Sequence, residues 1–297
     1  MSLLGAIKPF GPSGFGYGSS ADDVTNGLDL SGKVVLITGC NSGIGLESLR
    51  VLKARGATII GLARTAAKAQ EAGADHTVAC ELSDPESVRA AVAAVRQLAP
   101  IDALIANAGI MALPALETAR GYELQWFTNH VGHFILVTGL LDRVAPGGRF
   151  VILSSSAHQM ARAGIPFDNL DGSKGYNAWG AYGVSKLSNL LFARELARRL
   201  DGGRVANAVH PGVIRTNLDR HMPAWQVAGM RLAGPLALKS VGEGAATQVW
   251  AAVNPGAAQI TGEYLQDCNV ASSSSFGRDL ALAARLWEET ERIVAAL

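Results

Sequence analysis

Charge is scarce in this 297-residue chain. Asp, Glu, Lys and Arg together make up 17%, and 26 Lys plus Arg against 25 Asp plus Glu leave a formal net charge of +1. No large basic face is implied, so nucleic acid is not an expected partner. Cysteine is scarcer still. Cys40, Cys80 and Cys268 are odd in number and far apart. That excludes a secreted disulfide framework, and no CxxC pair suggests zinc. Reduced, buried thiols in a cytoplasmic protein are the expectation. Long apolar runs are missing too. The uncharged stretch from Leu124 to Leu141 is broken by Gln125, Asn129, His130 and His133, and that from Gly244 to Gly262 by Gln248, Asn254 and Pro255. Those polar groups would be costly in lipid, so no integral membrane segment is expected. Met1 to Lys8 lacks the basic start and apolar core of a signal peptide. Disorder is excluded from the other side, because the hydrophobic set reaches 48%.

Glycine is abundant, at 34 residues, and its placement organises the chain. Residues 9–20, PFGPSGFGYGSS, read as an extended or flexible lead-in, and residues 1–30 are set apart on that basis. Ser20-Ala-Asp-Asp-Val24 opens a short helix. From Lys33 on, short apolar runs alternate with helical patterns: strands at 33–38, 58–63, 76–80, 103–106, 149–153 and 204–209, and a last strand at 262–266. Helices are expected at 43–55, from the Ser83-Asp-Pro-Glu86 capping box to about Leu98, at 121–144, at 179–200, at 243–253 and at 279–296. In the last of these Leu280, Ala284, Trp287, Val294 and Leu297 should share one face. Alternation without a linker predicts a single-domain α/β Rossmann fold over 31–297, a doubly wound parallel sheet with helices on both faces.

Between the first strand and the first helix stands Thr38-Gly39-Cys40-Asn41-Ser42-Gly43-Ile44-Gly45. Glycines there permit a sharp turn, close approach of a pyrophosphate and tight helix–sheet packing, while the helix N-terminus offers unpaired N–H groups. The spacing is Gly-x-x-x-Gly-x-Gly, and its strand-before, helix-after context points to a nucleotide. An acid at the end of the second strand would bind a ribose 2′-hydroxyl and repel a 2′-phosphate. That strand ends Leu62-Ala63-Arg64-Thr65, without an acid. Arg64 suits a phosphate, so NADP(H) is expected over NAD(H).

Tyr182-Gly-Val-Ser-Lys186 puts a phenol and an ammonium at i and i+4 on one helix face. A phenol titrates near ~10, too high for a base at neutral pH, and a fixed ammonium favours the phenolate. Lowering it by three units would take about 4 kcal/mol of differential stabilisation. The fifth strand runs into Ser154-Ser155-Ser156 and the fourth into Asn107-Ala108-Gly109, at the sheet edge where open α/β folds bind ligands; the long helix that follows carries Asn129.

These residues resemble the short-chain dehydrogenase/reductase superfamily, in its single-domain branch. The resemblance rests on Thr38-Gly39-x-x-x-Gly43-x-Gly45, Asn107-Ala108-Gly109, Asn129, Ser155, Tyr182-x-x-x-Lys186 and Pro211-Gly212, in the family's order over about residues 31–270. Asn129-His-Val-Gly-His-Phe134, Ala181-Tyr-Gly-Val-Ser-Lys-Leu187, His210-Pro-Gly-Val213 and Gly262-Glu-Tyr-Leu-Gln-Asp-Cys268 resemble its retinol-dehydrogenase-like subgroup. The resemblance implies an oxidoreductase moving a hydride between NADP(H) and a carbonyl or alcohol. Tyr182 would be the acid/base, with Lys186 lowering its pKa and holding the nicotinamide ribose. Ser155 would bond the reacting oxygen, in preference to Ser154 or Ser156, and Asn129 would orient a water next to Lys186. Asn41, Ser42 and Ile44 of the loop and Asn107, Ala108 and Gly109 would line the cofactor, with Pro211, Gly212 and Val213 bordering its nicotinamide and Thr216 near the carboxamide or phosphates. Glu81-Leu82 stands where the family usually has Asp-Leu or Asp-Val, with Glu81 reaching the adenine.

The resemblance also places a substrate lid at 217–240, whose Met222, Trp225 and Met230 suit a bulky apolar substrate. The segment between Ser155 and Tyr182 is longer than in smaller relatives, and its Met160, Ile165, Phe167, Tyr176 and Trp179 could add a wall over that substrate. Family members commonly pair through the helices at 121–144 and 179–200, which implies a homodimer or homotetramer. Two alternatives stand beside the enzyme: a non-catalytic NADP(H)-binding sensor or scaffold, and an epimerase of the same superfamily, for whose larger C-terminal domain little chain remains. His130, His133, His158 and His210 show no spacing that would make a metal site.

Overall fold

A computed structural model describes residues 8–214 and 238–297. Its main sheet is built from β1 (Val34–Thr38), β2 (Thr58–Ala63), β3 (His76–Ala79), β4 (Ile101–Ala106), β5 (Val144–Leu153), β6 (Val205–His210), β7 (Tyr264–Gln266) and β8 (Asn269–Val270). The order across the sheet is β8-β7-β6-β5-β4-β1-β2-β3. All neighbours are parallel except β7 and β8. Val35 sits opposite Ile59 on one side and Ala103 on the other. The central strands are buried along nearly their whole length, as a sheet covered on both faces requires. The order reverses between β1 and β4, so the carboxyl ends of these two strands flank the crevice of a doubly wound sheet.

The helices are α1 (Gly43–Ala54), α2 (Ala66–Glu71), α3 (Pro85–Val95), α4 (Leu124–Trp126, Phe127–Val131 and Gly132–Thr138 in succession), α5 (Ala178–Arg199), α6 (Val241–Val253) and α7 (Leu280–Ala295). One core joins Ile37, Ile59, Leu52, Val249 and Trp250 under α1 and α6. The other joins Leu104, Phe150, Phe127, Leu136 and Leu190 under α3, α4, α5 and α7.

Several local expectations shift. The helix expected over 121–144 is shorter. A two-residue hairpin (Thr118–Ala119 with Tyr122–Glu123) precedes it, and Val144 already belongs to β5. Inside α4, Phe127–Val131 forms one π-turn, with Gly132 N–H donating to Phe127 C=O. The capping box at Ser83 does not form: Asp84 caps α3 without a side-chain bond, and Ser83 Oγ donates to Glu81 Oε1 instead (2.8 Å). On α7 the buried face is Ala283, Leu286, Trp287, Thr290 and Ile293, and Leu280 is exposed. Trp287 lies 4.9 Å from the Phe134 ring and 5.6 Å from Phe192, with the Arg199 guanidinium 4.4 Å from its own ring. Through Trp287, α7 packs against both α4 and α5.

The lead-in is docked from residue 8 onward. Ser20 and Asp23 form a reciprocal capping box on the one-turn helix Ala21–Val24, whose Ala21 and Val24 enter the α1/α6 core. Asn254 Nδ2 donates to Val24 C=O at 2.8 Å. Among the described residues, no helix is long and apolar enough to cross a membrane.

Candidate active site

β1 ends in Thr38, and its Oγ1 accepts the N–H groups of both Asn107 and Ala108 at 2.9 Å. Asn107 Nδ2 returns a bond to Thr38 C=O at 2.8 Å. The ends of β1 and β4 are thus pinned across the crevice. Thr38 Oγ1 also lies 2.9 Å from His133 Nε2, and His133 Nδ1 lies 2.9 Å from Asn129 C=O. A carbonyl can only accept, so Nδ1 carries the proton and Nε2 accepts from Thr38. Burial holds His133 neutral, down at about 4.

Only glycine fits the loop above this floor. A Cβ at Gly45 would sit 2.6 Å from Asn107 Nδ2, and one at Gly39 (φ +65) 3.0 Å from Ala108 Cβ. Gly43 also has a left-handed backbone, with φ +54. Ser42 caps α1 with no side-chain bond, and the first turn holds no acid, which leaves its N–H groups open to an anion. Asn107 Oδ1 is buried without a hydrogen-bond partner. The open helix N-terminus, the glycine cradle and the orphaned acceptor together fit a dinucleotide. Cys40 is an inert part of the loop, with its thiol pushed up to about 11 by burial.

Arg64 is exposed just past β2 and makes no ion pair among the described residues. Glu81 is turned onto its own loop, with Oε1 accepting from Ser83 N (3.1 Å) and Ser83 Oγ. Leu82 is buried, and its carbonyl occupies the place a Cβ on Gly132 would need, so α4 packs directly on the β3–α3 loop.

The three serines after β5 separate by their bonds. Ser154 Oγ donates to Lys186 C=O at 2.7 Å and serves the scaffold. Ser156 N–H donates to His210 Nδ1 at 3.2 Å, joining the loop to the end of β6, where Pro211, Gly212 and Val213 follow. Ser155 is the serine that acts on the Tyr182 phenol, pulling its pKa downward. Its carbonyl accepts from His158 Nδ1 at 2.6 Å, while His158 Nε2 accepts from Ser274 N–H at 3.0 Å.

Burial raises the Tyr182 phenol to about 12, against the opposing pull of Ser155. Burial also lowers Lys186, to about 8. Lys186 Nζ donates to Leu153 C=O at 3.0 Å and stands 5.6 Å from the Tyr182 ring centroid. The expected lowering of the phenol by Lys186 is therefore not expressed, because desolvation outweighs it. Asn129 sits in the π-turn. Its Oδ1 accepts Ile110 N–H, and its Nδ2 donates to Ile110 C=O and Ser185 Oγ, each at 2.9 Å. Both amide hydrogens are committed, and one lone pair remains for a water. A Cβ at Gly109 would sit 2.9 Å from Asn129 Oδ1 and 3.6 Å from Lys186 Nζ, so glycine keeps that space open.

Of the longer segment before Tyr182, Ile165 is buried, Phe167 lies under the Arg285 guanidinium at 4.0 Å, and Tyr176 OH donates to Leu113 C=O at 2.7 Å. These three pack against the protein. Met160 and Trp179 stay exposed, at 49% and 36%. The Trp179 ring stands edge-on to Tyr182, 6.2 Å between centroids at 81°. Thr216 and most of the 217–240 lid lie outside the described residues. A separate cavity of about 200 Å³, lined by Glu123, Trp126, Leu170, Tyr176, Ala181 and Val184, shares no residue with Ser155, Tyr182 and Lys186.

The roles of Thr38, His133, His158 and Ser185 were not foreseen; only the adjacency of Thr38 to the glycine loop hinted at one of them. His130 is structural too. Its Nε2 lies 3.0 Å from Thr290 Oγ1, whose own proton goes to Leu286 C=O. Among the described residues, no cluster of His, Cys, Asp or Glu could hold a metal.

Comparison with known proteins agrees with this geometry. The family model for short chain dehydrogenase matches residues 33–167. The chain is 37% identical to a short-chain dehydrogenase, TIC 32 A, chloroplastic, of Brassica napus, over 100% of both chains. It is 39% identical to human retinol dehydrogenase 12, covering 88% of this chain and 85% of the relative. A blue fluorescent protein from a metagenomic library, solved in complex with NADPH, superposes with a TM-score of 0.63 at 28% identity, covering 80% of this chain and 97% of that one. The chain belongs to the short-chain dehydrogenase/reductase family of oxidoreductases, on its retinol-dehydrogenase-like side.

Proposed function

We propose that this protein transfers a hydride between NADP(H) and the carbonyl or alcohol of a bulky, largely apolar substrate, with Tyr182 as acid/base. The observation that carries the reading is Lys186 Nζ standing 5.6 Å from the centroid of the Tyr182 ring, with Ser155 just past the end of β5, at the same sheet edge as the glycine cradle. When bound, the nicotinamide supplies or accepts the hydride. In reduction, Tyr182 gives its proton to the substrate oxygen while Ser155 donates a hydrogen bond to it. A phenol held at about 12 starts protonated, as a donor must. In oxidation the phenolate is needed, and reaching it near pH 7 takes roughly 7 kcal/mol of added stabilisation from positive charge. Lys186, cationic below about pH 8, contributes to that and would hold the nicotinamide ribose.

Arg64, with no acid at the end of β2, supports NADP(H) over NAD(H). Glu81 keeps its second oxygen for the adenine, and Thr216 is proposed near the carboxamide or phosphates. Trp179 and Met160 support a bulky apolar substrate, with the 217–240 segment as its lid. The free, buried cysteines support a reducing compartment such as the cytoplasm. A sensor or scaffold would not need the phenol of Tyr182 beside Lys186 and Ser155.

The test is a panel of aldehydes and ketones, followed by absorbance of the reduced nicotinamide. Tyr182→Phe should abolish turnover and leave NADPH binding intact. Turnover in that variant removes Tyr182 from its role. Tight binding without consumption of NADPH on the whole panel points to the sensor instead.

A further inference from the structure

Lys239 has no exposed surface, although a buried ammonium carries a heavy desolvation cost. Its Nζ lies 2.6 Å from Asp267 Oδ1 and 4.8 Å from the centroid of the Tyr17 ring. Asp267 and the next residue, Cys268, both adopt left-handed backbone, with φ of 52° and 60°. That conformation is uncommon for residues other than glycine, and here it accompanies the buried pair.

The same lysine grips the loop after β6. Its stem runs along Gly212, where a Cβ would sit 2.7 Å from Lys239 Cδ and 3.0 Å from Cε. Gly212 also has φ +90, so two separate features require glycine there. Lys239 N–H donates to Val213 C=O at 2.9 Å, and Lys239 bridges Ile214 in parallel. Side chain and backbone of one residue therefore hold Gly212–Ile214 from two directions.

The lead-in is tied to this corner. Ser13 N–H donates to Asn269 Oδ1, and Asn269 Nδ2 to Phe15 C=O, each at 3.0 Å. Those bonds bring Tyr17, half-buried, over the Lys239 ammonium. An aromatic face over a desolvated cation is attractive, through the ring's quadrupole.

We propose that Lys239 and Tyr17 are positioning residues for the nicotinamide end of the cleft. Tyr17 covers the Lys239–Asp267 pair, and the pair sets where the Pro211–Val213 loop stands, so the lead-in is a working part of the cofactor site. The inference rests on the nicotinamide reading above and adds to it residues far from the glycine loop.

The test compares two probes on the full chain by calorimetry: NADPH, and 2′-phospho-ADP-ribose, which lacks the nicotinamide. Tyr17→Ala should weaken NADPH about tenfold and leave 2′-phospho-ADP-ribose within about twofold. Lys239→Met combined with Asp267→Asn removes both charges, keeps an unbranched stem against Gly212, and should show the same split. If that double variant does not fold, Tyr17→Ala in the lead-in carries the test alone. Equal weakening of both probes means general damage and overturns the proposal; so does no change in either. A wild-type chain that binds neither probe overturns the nicotinamide reading, and the inference with it, before any variant is made.

Discussion

Ser154 Oγ donates to the main-chain carbonyl of Lys186 at 2.7 Å. This bond fastens the end of β5 to α5 at the level of the proposed acid/base, and it separates two adjacent serines by function.

Ser155→Ala should lower kcat/KM by about 10²–10³-fold, the usual loss of one donor to a developing oxyanion, with NADPH binding retained. Ser154→Ala should remove the bond that ties β5 to α5 and cost about 1 kcal/mol of stability, seen as a lower Tm with turnover within a few fold. The reverse pattern would exchange the two assignments.

Acid should destabilise this fold through its histidines. Burial lowers His130 to about 3, and His133 and His210 to about 4. Their ordinary value is near ~6.5, so between pH 6.5 and 4 the unfolded chain binds more protons than the folded one. Stability is therefore full above pH 6.5 and falls as pH drops through that window. By pH 5 each group contributes roughly 2 kcal/mol less. Urea midpoints at pH 7.5 and pH 5 check this. A flat profile would mean that the imidazoles are not held neutral.

The positions of the parallel strands were legible because each is a short apolar run closed by a turn, and the candidate site because Gly39, Asn107, Ser155 and Pro211 stand at strand ends where ligands gather. What escaped depends on partners distant in sequence. The π-turn at Phe127–Val131 looks helical in period, and it accompanies Asn129 bonding both amide groups of Ile110. Ser83 had a local competitor in Glu81. The clustered histidines could not reveal that His130 would meet Thr290 or that His158 would meet Ser274. Leu280 read as apolar face, yet it begins α7 exposed and the packed stripe starts at Ala283.

Arg64 is exposed and makes no ion pair among the described residues, which leaves its fork free for a 2′-phosphate. Arg64→Glu should weaken NADPH about 10–100-fold and leave NADH within a few fold, the value of one charge-assisted bidentate contact. Fluorescence titration with both cofactors measures it. Equal weakening, or none, would assign Arg64 to solvent.

Trp179 is edge-on to Tyr182 at 6.2 Å and 36% exposed, one helical turn before the phenol. An exposed indole beside a reacting group can cover the apolar body of a substrate without touching the proton that moves. Trp179→Ala should therefore lower kcat/KM for bulky ketones about tenfold and leave small ones within about twofold, since the loss is in apolar contact rather than in chemistry. Trp179→Phe should recover part of the bulky-substrate rate. A uniform fall across substrate sizes would instead mean that the indole positions Tyr182, and the pH dependence of kcat would then shift in Trp179→Ala while the size preference stayed unchanged.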